Sequence, residues 1–219
     1  HSFINIFGLC MGMTVTILIS LWMYDEISFD KNFSNYDRIG RVVQNVSNNG
    51  EVQTWFSVPY PLAAEMRTHY GSDFKHIAMA VNWGNHTITI ATANNPGSRK
   101  VLKSNGGLFE KEMTEMLAPD MLQGKGNAVN DPSSVMLSAS AAKAYFGDEN
   151  AIGKVFKIDQ LMPVKVAAVY KDFPRNTSFS GLDFIASWDF WYHANNDLKG
   201  MTDPWRPNFV SLYVQLNEN

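Results

Sequence analysis

The chain has 219 residues, enough for one compound domain or two small ones with a genuine apolar core. Its 18 lysines and arginines stand against 21 aspartates and glutamates with no basic run, which excludes the usual electrostatic footprint of a nucleic-acid binder. A lone cysteine, Cys10, excludes an intramolecular disulfide and leaves the redox compartment open.

The mean hydropathy of −0.18 conceals a strong asymmetry. Residues 3–24, FINIFGLCMGMTVTILISLWMY, carry no charged side chain. As a helix, these residues extend about 33 Å at 1.5 Å per residue, matching a hydrocarbon core of about 30 Å. Asn5, Thr14, Thr16 and Ser20 are neutral, and hydroxyls can bond back to helix carbonyls. Gly8 and Gly12 form a small-xxx-small pair, the candidate membrane-packing residues. Trp22 and Tyr24 stand where amphipathic rings favour the headgroup level. A removable signal peptide would be shorter and end in small residues, not WMYDE. The expectation is a transmembrane helix over 3–24, in contact with lipid, and a separate domain over 25–219. Asp25, Glu26 and Asp30 bring no basic excess to the far flank, which points to an outside location for the rest.

From residue 25 onward, strand and helix signals alternate without repeats. RIGRVVQNV (38–46) predicts a strand start. PYPLAAEMRTHYG (59–71) predicts a helix, with prolines at its start, Leu62, Met66 and Tyr70 on one face and Gly71 as the stop. FKHIAMAVNW and HTITIATA predict two strands, and NNPG (94–97) a turn. Phe109, Met113, Met116 and Leu117 fall on one helical face, ended by Pro119. SVMLS (134–138) predicts a strand, followed by a helix capped by Ser138 and stopped by Gly147. KVFKID, VKVAAVYKD and DFIASWD predict further strands. NFVSLYVQL alternates Val210, Leu212, Val214 and Leu216 with Ser211, Tyr213 and Gln215, the pattern of a half-buried strand. This order predicts an α+β fold with a mixed sheet.

Chemistry-bearing motifs are sparse. GDENAIGK (147–154) has five residues between its glycines and Val155 after the lysine, so it fails as a phosphate-binding loop and reads as a helix stop and turn. His69, His76 and His86 lack metal-ligand spacing. Glu110, Glu112 and Glu115 read as the solvated side of a helix. No G-x-S-x-G elbow is present, so neither a catalytic residue nor a cofactor is assigned. Trp188, Phe190, Trp191, Tyr192 and Trp205 are either core or an exposed patch; Trp188, Trp191 and Trp205 are the partner-patch candidates. The sequons at Asn32, Asn45, Asn85 and Asn176 are treated as chance.

SFINIFGLCMGMTVTILISLWMYDEISFDKNFSNYDRIGRV resembles the first transmembrane helix and following segment of MacB/FtsX-type ABC transporter permeases, especially Bacteroidetes forms. SSVMLSASAAKAYFGDENAIGKVFKID and VAAVYKDFPRNTSF are similar to later blocks of the same family; residues 48–105 match only in general character. The resemblance implies a permease subunit of the bacterial inner membrane with one N-terminal span, a periplasmic core domain of two α/β lobes, one inserted in the other, and three more spans beyond Asn219. It implies a cytoplasmic ABC ATPase as partner, a homo- or heterodimeric permease, a periplasmic or outer-membrane partner, and mechanotransmission in place of a conventional channel. In this picture the two tethers are Trp22–Phe33 and Phe209–Leu216, and small displacements of the first relative to the second tilt the lobes. The second functional class is the sensing domain of a membrane receptor, and a third, a secreted hydrolase, lacks its nucleophile.

Overall fold

The computed structural model describes residues 2–91, 98–161 and 163–218. The 94–97 turn lies outside them. Helix α1 (Ser2–Ile27) runs 26 residues, about 39 Å at 1.5 Å per residue, and buries none of its side chains in the protein. Thr14 and Thr16 donate their hydroxyls to the carbonyls of Cys10 and Gly12, at 2.8 and 2.9 Å, so their polarity is met within the helix.

The body that follows is a mixed sheet with helices on both faces. Its strands are β1 (Ile39–Val42), β2 (Gln44–Asn48), β3 (Glu51–Trp55), β4 (Val58–Pro59), β5 (Phe74–Ala91), β6 (Arg99–Phe109), β7 (Met121–Gly124), β8 (Ser134–Ser138), β9 (Val155–Ile158), β10 (Pro163–Tyr170), β11 (Phe184–Ser187) and β12 (Asn208–Leu216). The helices are α2 (Pro61–Tyr70), α3 (Lys111–Leu117), α4 (Ala139–Phe146), α5 (Trp188–Ala194) and α6 (Asn196–Lys199). Strands β2 and β3 form a separate hairpin; the others share one sheet in the order β1-β12-β5-β6-β11-β8-β10-β7, with β4 on β12 and β9 touching both β10 and β5.

This order has a simple reading in chain terms. Residues 121–187 supply one half of the sheet, β11-β8-β10-β7, while the segments before and after them supply β1-β12-β5-β6. One lobe is therefore inserted in the other, and they join where β6 and β11 run parallel, Gly106 beside Phe184 and Phe109 beside Ser187, and where β9 pairs with β5, Ile158 opposite Ile88. Gly106 is required there. A Cβ on it would lie 2.0 Å from the Phe184 ring, so only glycine lets that ring cover the strand.

Alternate residues feed two separate cores. Ile77, Met79, Val81, Val135, Leu137, Phe184, Leu212 and Val214 face α2, α4 and α5; Ala78, Ala80, Met136, Ile185, Tyr170 and Tyr213 face α3. Because both faces are covered, β12 is buried on both sides, through Tyr213 and Gln215 as well as Val210, Leu212 and Val214, and only its end residue Leu216 is exposed. The half-buried reading of that strand is corrected accordingly. The two strands expected at 74–83 and 86–93 are one 18-residue strand, interrupted by a bulge between Trp83 and Asn85. Phe109 ends β6 and does not belong to the helix that follows. Ser138 caps α4 by accepting the Ala141 N–H at 3.2 Å, and Gly147 closes it at a φ of 67°.

Candidate functional site at the junction of helix and body

Beyond α1 the chain forms a short stalk, residues 28–35, before β1. The Asp30 backbone takes a φ of 60°, a left-handed conformation that aspartate tolerates better than most residues. This turn breaks the helical path and aims the carboxylate at residues 171–183, the collar that connects β10 to β11. The Asp30 N–H donates to the Asn176 carbonyl at 3.0 Å, and the Ser178 N–H and hydroxyl donate to its two carboxylate oxygens at 2.7 and 2.6 Å. Asn176 donates to the Ser28 hydroxyl at 3.0 Å and accepts from the Asn32 amide at 3.1 Å.

Phe33 completes the junction. It is 7% exposed, and its ring meets those of Phe173 and Phe179 edge-on, each at 5.8 Å. Phe179 in turn touches Phe109 and Tyr213 at 5.9 Å, so the stalk is plugged into a cluster drawn from β6, β12 and the collar. Burial pushes the Tyr213 phenol above its ordinary range, with the nearby Arg41 opposing that rise and Asp30 adding to it.

A second tie lies one element further on. Strand β1 pairs antiparallel with β12, Ile39 opposite Gln215 and Val42 opposite Leu212, so the way into the body and its last strand lie side by side. Glu218 pairs with Arg38 at 3.2 Å and Lys75 at 3.1 Å, which together hold its carboxyl below the usual range. Arg41 reaches across to the Ser211 hydroxyl at 2.8 Å and the Phe56 carbonyl at 3.0 Å.

The residues singled out from sequence fall elsewhere. Gly8 and Gly12 border a shallow apolar groove on α1 with Leu9, Met13, Thr16 and Ile17, and nothing in the body approaches them. Trp188 and Trp191 lie in the core, ring against ring at 5.4 Å and both against Phe209, whereas Trp205 is 47% exposed. Glu110 is not solvated. It sits at the entrance of α3, paired with Arg67 and accepting the Met79 N–H at 2.8 Å, and burial raises its pKa despite these partners. His86 is buried against Phe184 and pairs with Asp159 at 2.5 Å. Among the described residues no group of three His, Cys, Asp or Glu side chains is placed to hold a metal ion.

The stalk was read from sequence only as part of the Trp22–Phe33 tether, and the collar residues were not singled out. Asn32 and Asn176, set aside as chance sequons, are bonded to each other across 144 positions, a pairing that no local sequence pattern encodes. A family model described as the MacB-like periplasmic core domain matches residues 2–219. The chain belongs to this family. A search of curated proteins found no matching relative. Among solved structures, a domain of a protein assigned as a permease from Porphyromonas gingivalis is similar at 18% identity, with 85% of this chain and 76% of that chain covered and a TM-score of 0.66. The periplasmic region of MacB from Actinobacillus actinomycetemcomitans is similar at 16% identity, with 87% and 81% covered and a TM-score of 0.56. These likenesses establish the fold: a MacB-type α+β body behind one apolar helix. MacB-like permeases work with ABC ATPases.

Proposed function

We propose that this chain is the periplasmic core domain and first span of an ABC transporter permease of the bacterial inner membrane, and that it passes ATPase-driven motion outward without catalysing a reaction of its own. Residues 3–24 are the span and 25–219 the core domain. The proposal includes pairing with a cytoplasmic ABC ATPase and a permease dimer that uses the Gly8 and Gly12 face. The observation that carries it is the double attachment of α1 to the body. A membrane helix linked by a slack tether would lose its displacement in the linker, whereas here the stalk is bonded within a few residues of the span and its continuation is a strand of the sheet.

The relative motion expected between Trp22–Phe33 and Phe209–Leu216 takes a modified form. Strand β1 is hydrogen-bonded to β12, so β1 and β12 move together, and displacement of α1 enters the body through the bonded stalk. The test uses the intact permease with its ATPase in nanodiscs, carrying spin labels at Ala64→Cys and Gln123→Cys on a Cys10→Ser background, one exposed site in each lobe. Nucleotide trapping should move the distance distribution; an unmoved distribution with the ATPase bound contradicts the reading.

A further inference from the structure

Helix α1 is attached to both lobes, by separate routes. One route is covalent: stalk, then β1, then the β1–β12 ladder of the outer lobe. The other is through space, from Asp30, Ser28, Asn32 and Phe33 to the collar. The collar is continuous with the inserted lobe, leaving from the end of β10 and entering β11, and it rests on the outer lobe where Phe179 meets Phe109 and Tyr213.

The collar is itself braced at its far end. The Tyr170 hydroxyl donates to the Leu182 carbonyl at 2.7 Å, which closes the collar on the strand it leaves. Asp183 accepts from the Ser104 hydroxyl and the Asn105 N–H, both at 2.9 Å, and its carbonyl accepts the Ser138 N–H at 2.8 Å. Asn105 donates its amide to the Gly181 carbonyl at 3.0 Å. A segment bonded at both ends and filled by the Phe173 and Phe179 rings moves as a solid piece.

We infer that the collar is the input lever of the inserted lobe: Asp30, Asn176 and Ser178 convert displacement of α1 into rotation of that lobe against the outer one. The inference rests on the motion-transmitting reading above and adds where the motion enters. The two routes diverge at the stalk, so a turn of α1 loads the outer lobe through β1 and the inserted lobe through Ser178 at different lever arms. Their common seam is the β6–β11 pairing together with the β5–β9 pairing, and in the former Gly106 admits the Phe184 ring. Asp30, with its left-handed backbone, keeps the carboxylate on the collar while the chain turns toward β1.

The same labelled permease, Ala64→Cys with Gln123→Cys, gives the test. Ser178→Ala deletes one surface hydroxyl, Asn176→Ala with Ser178→Ala removes all the side-chain bonds these two residues make to the stalk, and Ser180→Ala, exposed in the same collar, is the control. The expected result is a nucleotide-driven shift cut by half or more in the double variant, reduced in Ser178→Ala and full in Ser180→Ala. The nucleotide-free distribution and ATPase binding should stay unchanged and the permease should stay folded, its melting midpoint only modestly lowered, which a merely structural role for these groups does not predict. A full shift in the double variant overturns the lever and leaves the transmission reading standing. No shift in the parent permease overturns both.

Discussion

Asp30 and Ser178 are joined twice, the serine N–H and hydroxyl each donating to a different oxygen of the same carboxylate, at 2.7 and 2.6 Å. They are 148 positions apart in the chain, and the bond fastens the end of the apolar helix to the loop between β10 and β11. Hydrogen bonds to a charged acceptor contribute about 1.5–3 kcal/mol when sheltered and less at a wet site such as this one. Asp30→Ala should therefore lower stability by about 1–2 kcal/mol, and Asp30→Asn, which also tolerates a positive φ, by less. Thermal unfolding of the detergent-solubilised chain checks the order; equal losses would assign the effect to charge alone.

Phe33 is the stalk's one buried apolar side chain among the described residues, so its loss leaves a cavity that the Phe173, Phe179 and Phe109 rings cannot readily close. Phe33→Ala should destabilise by about 3–5 kcal/mol, while Phe29→Ala, at an exposed ring four residues earlier, should change stability by less than about 0.5 kcal/mol. Denaturant unfolding of both variants measures the contrast.

Among the tryptophans, burial separates the cases. Trp191→Ala should cost about 3–5 kcal/mol, because its ring packs on Trp188 and Phe209, and Trp205→Ala should cost well under 1 kcal/mol. A binding defect in Trp205→Ala with unaltered melting would mark that ring as a contact surface. A melting loss as large as that of Trp191→Ala would contradict the exposed position.

Glu110 gives a pH dependence with a definite sign. Desolvation by burial holds its folded pKa above the ordinary 4.5, against the pull of Arg67 and the Met79 N–H. The folded state therefore binds this proton more tightly than the unfolded chain does. Its contribution is greatest below pH 4.5 and is lost as pH rises through the folded value. Relative to Glu110→Gln, the parent chain should gain stability as pH falls from neutral toward 4.5. Unfolding curves at several pH values measure this, and a parent that loses ground over that range would show the Arg67 pairing to dominate instead.

How much was legible in the sequence follows from the range of each signal. Local patterns located the apolar helix, the Ser138 cap with its Gly147 stop, and β12, because each is set by neighbours a few residues away. The exposure of β12 was misjudged because alternation reports side-chain direction, while coverage of the second face depends on α3 and the collar, which are distant in sequence. Glu110 was misread for a similar reason. Its spacing with Glu112 and Glu115 suits a wet helix face, but Arg67 and Met79 arrive from other elements. The junction of Asp30 with Ser178 had no local signature at all, since serine and aspartate in loops ordinarily satisfy their own turns. The inserted lobe came from family resemblance, and the strand order gives it a physical form.

The most direct test of the account is the depth of Cys10 compared with a cysteine placed in the body. In intact cells with a permeabilised outer envelope, an impermeant maleimide should label Lys157→Cys, made on a Cys10→Ser background, and leave native Cys10 unlabelled until detergent dissolves the bilayer. Cys10 labelling as fast as the body site, or a body site protected until the cells are lysed, would contradict a membrane helix carrying an extracytoplasmic domain.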